Sequence, residues 1–266
     1  MCSFFSVTSD GLGNIKYFNW EQRKQILKGE LGYKPDSHTS INDFYGYKGE
    51  DEDCRNKYEY NPLSGEFTID MINGIDDSKE VEAQVRALDF KTICEPLIIK
   101  PILNPFKIKN SGAEDRHVEM LKEWINVWGK IEENVYDSVW DSVGGCAGYP
   151  VWNLVRGSVG GCVWDYVYGS IRDSVRASIG VSVWGSIWDY VNDSVRESVW
   201  GYVSSFFNLE KWKYIDHEPY KNPFQSGIDL WEKGFVPSFD GKVWRLHSGE
   251  KAEIVFEISE DELMAE

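Results

Sequence analysis

Few residues in this chain have the type and spacing that chemistry requires. The four histidines, His38, His117, His217 and His247, stand far apart in the sequence. None falls in an HxH, HExxH or Cys/His pattern, so no metal site is expected. His38 sits in DSHTS beside Asp36 and Ser37. An imidazole next to a carboxylate and a hydroxyl meets the minimum need of a general base, although a polar loop explains the same residues more simply. Cys2 becomes N-terminal if the initiator methionine is removed, and an N-terminal nucleophile can use its own amine as base. Ser3 follows it, and no second motif accompanies it. Cys2 and His38 are therefore the catalytic candidates of an enzyme sited in the N-terminal region. No GxGxxG after a strand, no GxxxxGK followed by Ser or Thr and no GxSxG occurs, so no cofactor is expected.

The composition narrows the function classes. The chain has 266 residues, 42% hydrophobic and 27% charged, enough for one large globular domain or two modest ones. Its 28 Lys and Arg against 44 Asp and Glu give a net charge of −16. That excess disfavours direct binding of nucleic acid through its phosphates, and adsorption to anionic membranes. Five cysteines (Cys2, Cys54, Cys94, Cys146, Cys162) without a CxxC pair predict neither a disulfide framework nor a zinc ribbon. Free thiols suit a cytoplasmic setting. The opening MCSFFSVTSDGLG has no basic n-region, so no signal peptide is expected. No run of ~18 apolar residues is present, so no transmembrane helix is expected.

The elements that would position any site are dominated by a repeat. Residues 136–207 divide into 18 tetrads without insertion, such as YDSV, WDSV, RGSV, WDYV and RESV. The fourth position is Val or Ile in 16 of the 18, and the third is Ser in ten. Four residues of α-helix advance ~400°, so a valine stripe drifts by ~40° per tetrad and leaves its face. The count also survives the glycine-rich stretches at 144–150 and 160–162. Both points predict a short β-solenoid with four-residue sides, whose coils need a constant count. Packed short α-helices are the alternative.

Trp140, Trp152, Trp164, Trp188 and Trp200 lie at multiples of 12 residues, and Arg176 fills the vacant slot. Three tetrads per coil follow, about 12 residues, with valine inward and the Trp/Arg column outward along one face. Exposed Trp and Arg are common interface anchors, so these six residues are the candidate binding stripe. Packing against the flanks is the plainer reading of the same column.

The flanks read as α+β. SVTSDGLGNIKYF predicts a hairpin turning at Asp10-Gly11. NWEQRKQILKG predicts a helix capped by Asn19 and stopped at Gly29. A second hairpin is expected around Asn61–Gly65, a helix over DDSKEVEAQVRAL, and a third hairpin at Asp240-Gly241. Val118, Leu121, Trp124, Ile125, Trp128 and Ile131 recur at helical spacing. The resulting division is an N-terminal α+β region (1–112), a capping helix (113–135), the solenoid (136–207) and a C-terminal cap with an acidic tail (208–266).

The tetrad repeat is formally similar to the pentapeptide-repeat proteins, whose sides are one residue longer, but it lacks their small-residue/Leu pair. MCSFFSVTSDG, the SVWDSV-type tetrads and SFDGKVWRLHSGEKAEI resemble phage-borne and environmental proteins that carry SVxx tetrads and have no assigned activity. The resemblance implies a viral or mobile-element origin and nothing about activity. The function expected is that of a non-enzymatic binding or scaffold protein using the repeat as a rigid interaction element. Its partner would be a protein or a small ligand, and open solenoid edges would permit self-association. An N-terminal enzyme and an acidic decoy of a DNA-binding protein are the alternatives.

Overall fold

A computed structural model of the chain describes residues 4–49, 54–179 and 181–264. The chain divides into two compact units, one of residues 1–101 with 143–158, the other of 102–142 with 159–266.

The first unit is built on a four-stranded antiparallel sheet of order β2-β1-β3-β4, with β1 Ser6–Ser9, β2 Ile15–Lys16, β3 Asn56–Asn61 and β4 Glu66–Met71. Helix α1 (Trp20–Leu27) starts where Asn19 accepts the Gln22 N–H and Gln22 reaches back to the Asn19 N–H, a capping box. Gly29, at φ +74°, follows its end, as a left-handed stop requires. Asn19→Ala should therefore lower the stability of this unit by about 1 kcal/mol. An unchanged thermal midpoint would show that the cap is dispensable. Helix α2 spans His38–Phe44 and α3 Ser78–Arg86. Val81 and Val85 of α3 are fully buried with Phe5, Val7 and Tyr58.

The Asp77 carboxylate, just before α3, ties these pieces together. It accepts hydrogen bonds from Ser9 Oγ, Gly13 N (2.8 Å), Asn56 Nδ2 (2.9 Å) and Tyr58 Oη (2.6 Å). Burial alone would raise its pKa. The donors from Ser9, Tyr58 and Asn56 outweigh that and hold it below the ordinary carboxylate value.

The repeat is not a β-solenoid. It folds as helices: α5 Val135–Cys146, α6 Tyr149–Val159, a π turn at Gly160–Trp164, α7 Asp165–Ile179 and α8 Val181–Ser204, α4 being Asp115–Trp128. Nor is it a separate body, since residues 143–158 belong to the first unit and the rest to the second. The α4 helix also ends at Trp128, before the tetrads begin, and caps no coil.

The valine register still marks the buried side. Val135, Val139, Val143, Val151, Val155, Val159, Val163, Val167, Ile171 and Val175 are each 2% exposed or less. Helices can keep a count of four because the drift is repeatedly interrupted. From Val135 to Val143 it reaches only ~80°, within the width of an apolar stripe. Gly148, at φ +91°, then ends α5, with the Ala147 and Gly148 N–H groups both bonded to Val143 O. The π turn carries the chain through GGC while remaining helical. Its i→i+5 closure turns each residue through a smaller angle than an α turn does, which takes back accumulated drift.

The serine column has a separate task in the second unit. Ser198 Oγ donates to Pro237 O (3.1 Å), and Phe239 N–H donates to Ser194 Oγ (2.8 Å). Pro237 and Phe239 belong to β5 (Val236–Phe239), the edge of the antiparallel sheet β5-β6-β7, with β6 Val243–Ser248 and β7 Glu253–Ser259. Helix α8 thus covers the open edge of that strand with side-chain hydrogen bonds, which blunts it against other chains. Helix α9 (Gln225–Glu232) completes the unit, and the chain closes with α10 (Glu260–Met264). Trp124 of α4 fits a cradle made by two glycines. A Cβ on Gly227 would lie 2.5 Å from its ring, and one on Gly201 2.9 Å. Among the described residues no helix is long and apolar enough to cross a membrane.

Candidate functional site

Cys2 lies outside the described residues. His38 is 3% exposed, and its Nε2 lies 3.0 Å from Tyr58 O, where it donates. Its Nδ1 is 3.6 Å from the Asp70 carboxylate. Asp36, its sequence neighbour, is bound instead to Arg23, with Nη2–Oδ1 at 2.6 Å. The polar constellation read in DSHTS is therefore divided between two structural interactions, and His38 serves to fasten α2 to β3. Cys94 is the buried thiol, and burial pushes its pKa up to about 12, which makes it a poor nucleophile at neutral pH. Cys54, Cys146 and Cys162 are exposed at the surface.

His247 and Ser238 form a buried Ser–His pair in the second unit, with Oγ–Nε2 at 2.8 Å and His247 Nδ1 bonded to Ala252 O at 3.0 Å. Both residues are fully buried in cross-strand positions, so the pair is closed to a substrate. His217 accepts the Trp212 N–H at Nε2 (2.7 Å) and donates from Nδ1 to Glu218 O (2.7 Å), shaping its own loop. His117 Nδ1 accepts the Glu114 N–H (3.0 Å) at the start of α4.

The predicted Trp/Arg stripe is divided. Trp152 is fully buried in the first unit, and Trp200 is 8% exposed, so neither presents a contact surface. Trp140, Trp164 and Trp188 are half-buried, and Arg176 is exposed. The tryptophans of the second unit join a continuous row of seven rings. Its order is Trp140, Tyr136, Trp200, Trp164, Tyr168, Trp188 and Trp184, with adjacent centroids 4.9–6.1 Å apart. These separations suit edge-to-face or offset contact.

Every member occupies the first position of its tetrad. Tyr136 with Trp140, Trp164 with Tyr168, and Trp184 with Trp188 are i,i+4 pairs, which face one another on a helix. The signal for Tyr136, Tyr168 and Trp184 was thus in the sequence, as aromatics in consecutive tetrads. The 12-residue period obscured it, because that period assigns neighbours across coils.

Two cavities lie within single units. In the first unit, a cavity of about 640 Å³ opens between one face of the β3–β4 hairpin and α6, with Glu59, Glu66, Thr68, Tyr149, Asn153 and Gly157 among its walls. In the second unit, a cavity of about 670 Å³ is bordered by Lys130, Lys211 and Lys213, opposed by Glu132 and Asp216. Neither was legible in the sequence, since each joins segments distant along the chain. Among the described residues no group of three or more His, Cys, Asp or Glu is placed to hold a metal ion.

The arrangement offers ring faces and lined cavities, and it engages the imidazoles in structural hydrogen bonds. Comparison with known protein families, with curated proteins and with solved structures finds no match for the chain.

Proposed function

We propose that the protein is a non-catalytic binding or scaffold protein whose tetrad helices in the second unit present an aromatic row to a protein partner. The observation that carries this reading is the seven-ring row itself. Six of its rings are half-buried, with Trp200, third in the row, as a buried anchor. Part-exposed Trp and Tyr on a rigid helical frame supply large contact area at low entropic cost, which is how interface anchors work. The exposed Arg176 lies on the same run of helices. On this reading the protein acts in the cytoplasm, a host cytoplasm if the chain is viral, where its free thiols would persist.

An N-terminal enzyme is the weaker reading, because His38 is engaged in structural bonds and no second motif accompanies Cys2 in the sequence.

The test is quantitative affinity capture with the full chain, beside a variant carrying Trp140→Ser, Trp164→Ser and Trp188→Ser. A specific protein retained by the wild type should be lost about thirtyfold or more by the variant, since anchor residues each contribute on the order of 2 kcal/mol. Circular dichroism of the variant should stay helical. Equal retention would reject the row as an interface, and loss of helicity would reassign it to packing.

A further inference from the structure

Helix α2 lies across the sheet of the first unit. Its first residue, His38, bonds Tyr58 O on β3, and Tyr45, at its end, donates from Oη to Tyr17 O just beyond β2 (3.0 Å). Strand β1 runs between β3 and β2, and α2 packs against it. Asn42 follows His38 by one helical turn on the same helix face, so it is held over β1. It is fully buried, and neither its Nδ2 nor its Oδ1 has a hydrogen-bond partner. Buried polar groups are normally paired, so an open amide here calls for one.

The strand surface beneath Asn42 is cationic. Ser6 Oγ donates to Asp36 O just before α2 (3.2 Å), which places Ser6, and Thr8 two residues on, on the α2 face of β1. Thr8 pairs with Lys16 on β2 and with Lys57 on β3, and directly paired residues share a face. Arg55 reaches the same hydroxyl. Its Nε lies 3.5 Å from Thr8 Oγ1 and its Nη2 3.5 Å from Asn14 O, both at the outer limit of a hydrogen bond. The guanidinium stacks on Tyr47, 4.0 Å from the ring centre, and the Tyr47 N–H donates to Asn42 O (2.9 Å). Arg55 is 5% exposed. Among the described residues no carboxylate lies within ion-pair distance of Arg55, Lys16 or Lys57. Asp10 is taken by the Asn14 side chain (2.7 Å) and the Leu12 N–H (2.9 Å), and Asp70 faces His38. A chain of net charge −16 thus gathers three cations around one buried hydroxyl, and a guanidinium buried without a counter-charge is costly.

We propose that the first unit binds a halide-sized monovalent anion, chloride in a cell, between α2 and β1. The anion accepts a charge-assisted hydrogen bond from the Arg55 guanidinium and a second bond from Asn42 Nδ2. The Thr8 hydroxyl, which accepts from Arg55 Nε, donates its own proton to the same anion. Lys16 and Lys57, half-buried on either side of Thr8, raise the local potential. Asn42 and Thr8 are both fully buried, so a monatomic anion suits the position better than sulfate or phosphate. The site lies wholly in the first unit and does not depend on the aromatic row of the second.

Thermal unfolding of the full chain tests this, with sodium chloride, bromide or sulfate replacing sodium gluconate at constant ionic strength. Chloride and bromide should raise the midpoint saturably, by about 4 °C at roughly twentyfold excess over Kd. Sulfate over the same range should give no saturable rise. Asn42→Leu and Arg55→Met should each cut the chloride response to within about 1 °C. Lys91→Gln, which removes a charge from an exposed position, should keep the full response. A crystal grown in sodium bromide should show an anomalous peak between Arg55 and Asn42. A wild-type midpoint indifferent to chloride would overturn the proposal. So would a chloride response that survives in Asn42→Leu, a saturable rise with sulfate as large as that with chloride, or a bromide map with water alone beside Asn42. Should Arg55→Met fail to fold, Asn42→Leu and the bromide map decide.

Discussion

Asp36→Ala is expected to destabilise the first unit by about 3–5 kcal/mol, because it strands a guanidinium in the core. Arg23 and Asp36 meet as a two-pronged pair, Nη1–Oδ2 at 3.0 Å and Nη2–Oδ1 at 2.6 Å. Their side chains are 2% and 1% exposed. The guanidinium also donates from Nε to Phe18 O (3.1 Å) and lies 5.0 Å from the Phe4 ring centre. Without the carboxylate, those contacts leave a full charge uncompensated among aromatic rings. Arg23→Met alone should cost a similar amount, since it leaves the buried carboxylate unpaired. Arg23→Met combined with Asp36→Leu should recover most of the loss, because a well-packed apolar pair of similar volume removes both desolvation penalties. Thermal unfolding of the three variants checks this. At roughly 2–4 °C per kcal/mol, each single variant should melt on the order of 10 °C lower. A single variant that melts within about 2 °C of wild type would mean that water reaches the pair.

The same residues show how far a sequence reading extends. Local signals carry their elements on their own residues: Asn19 three positions before Gln22, Asp10-Gly11 between two short strands, Val81 and Val85 one helical turn apart. Each is decided within a few residues, and each is present in the structure. The Arg23–Asp36 pair is different. Nothing in the residues beside Arg23 distinguishes it from a solvated helix residue, and its burial is decided by Phe4 and Asp36, both distant along the chain.

The repeat misled for a third reason. A period of four is incommensurate with the α-helix, and an unbroken count argued for coils of fixed length. What reconciles the two is a left-handed glycine at 148 and a π turn at Gly160–Trp164. Both lie in the glycine-rich stretches that looked like evidence against helices. The aromatic row then follows from i,i+4 neighbours within helices and from contacts between them, whereas the cavity of the first unit depends on strand register and is invisible to any local pattern.

The stability of the whole chain should change little between about pH 4.5 and 6.5, because two buried groups of the second unit titrate in opposition there. Burial lowers the His247 pKa from its ordinary 6.5 to about 4. The bond to Ala252 O works against that shift and Arg245 adds to it. The folded state then holds fewer protons than the unfolded chain between those values, so stability rises with pH and is fully present above 6.5. Glu197 has the reverse sign. Burial raises its pKa from 4.5 to about 7, against the N–H groups of Val135 and Tyr136 and the charge of Arg196, with Asp193 adding to the rise. Here the folded state holds the extra proton between pH 4.5 and 7, and stability falls across that window. Each shift is worth about 3 kcal/mol at full extent, and over the shared window the two cancel. His117, also lowered by burial, adds a smaller slope of the His247 sign. Glu197→Gln should therefore unmask a rise approaching 1.4 kcal/mol per pH unit. It should also make the protein more stable than wild type above pH 7, provided that the amide oxygen still accepts from Val135. His247→Gln loses two buried hydrogen bonds and starts from a lower level, but its slope should be negative over the same window. Urea unfolding at four pH values from 4.5 to 7.5 reads both slopes. A wild-type slope as steep as that of either variant would show that the two groups do not oppose one another. The acid that caps α5 from within the repeat and the imidazole that closes β6 would then titrate as ordinary surface groups.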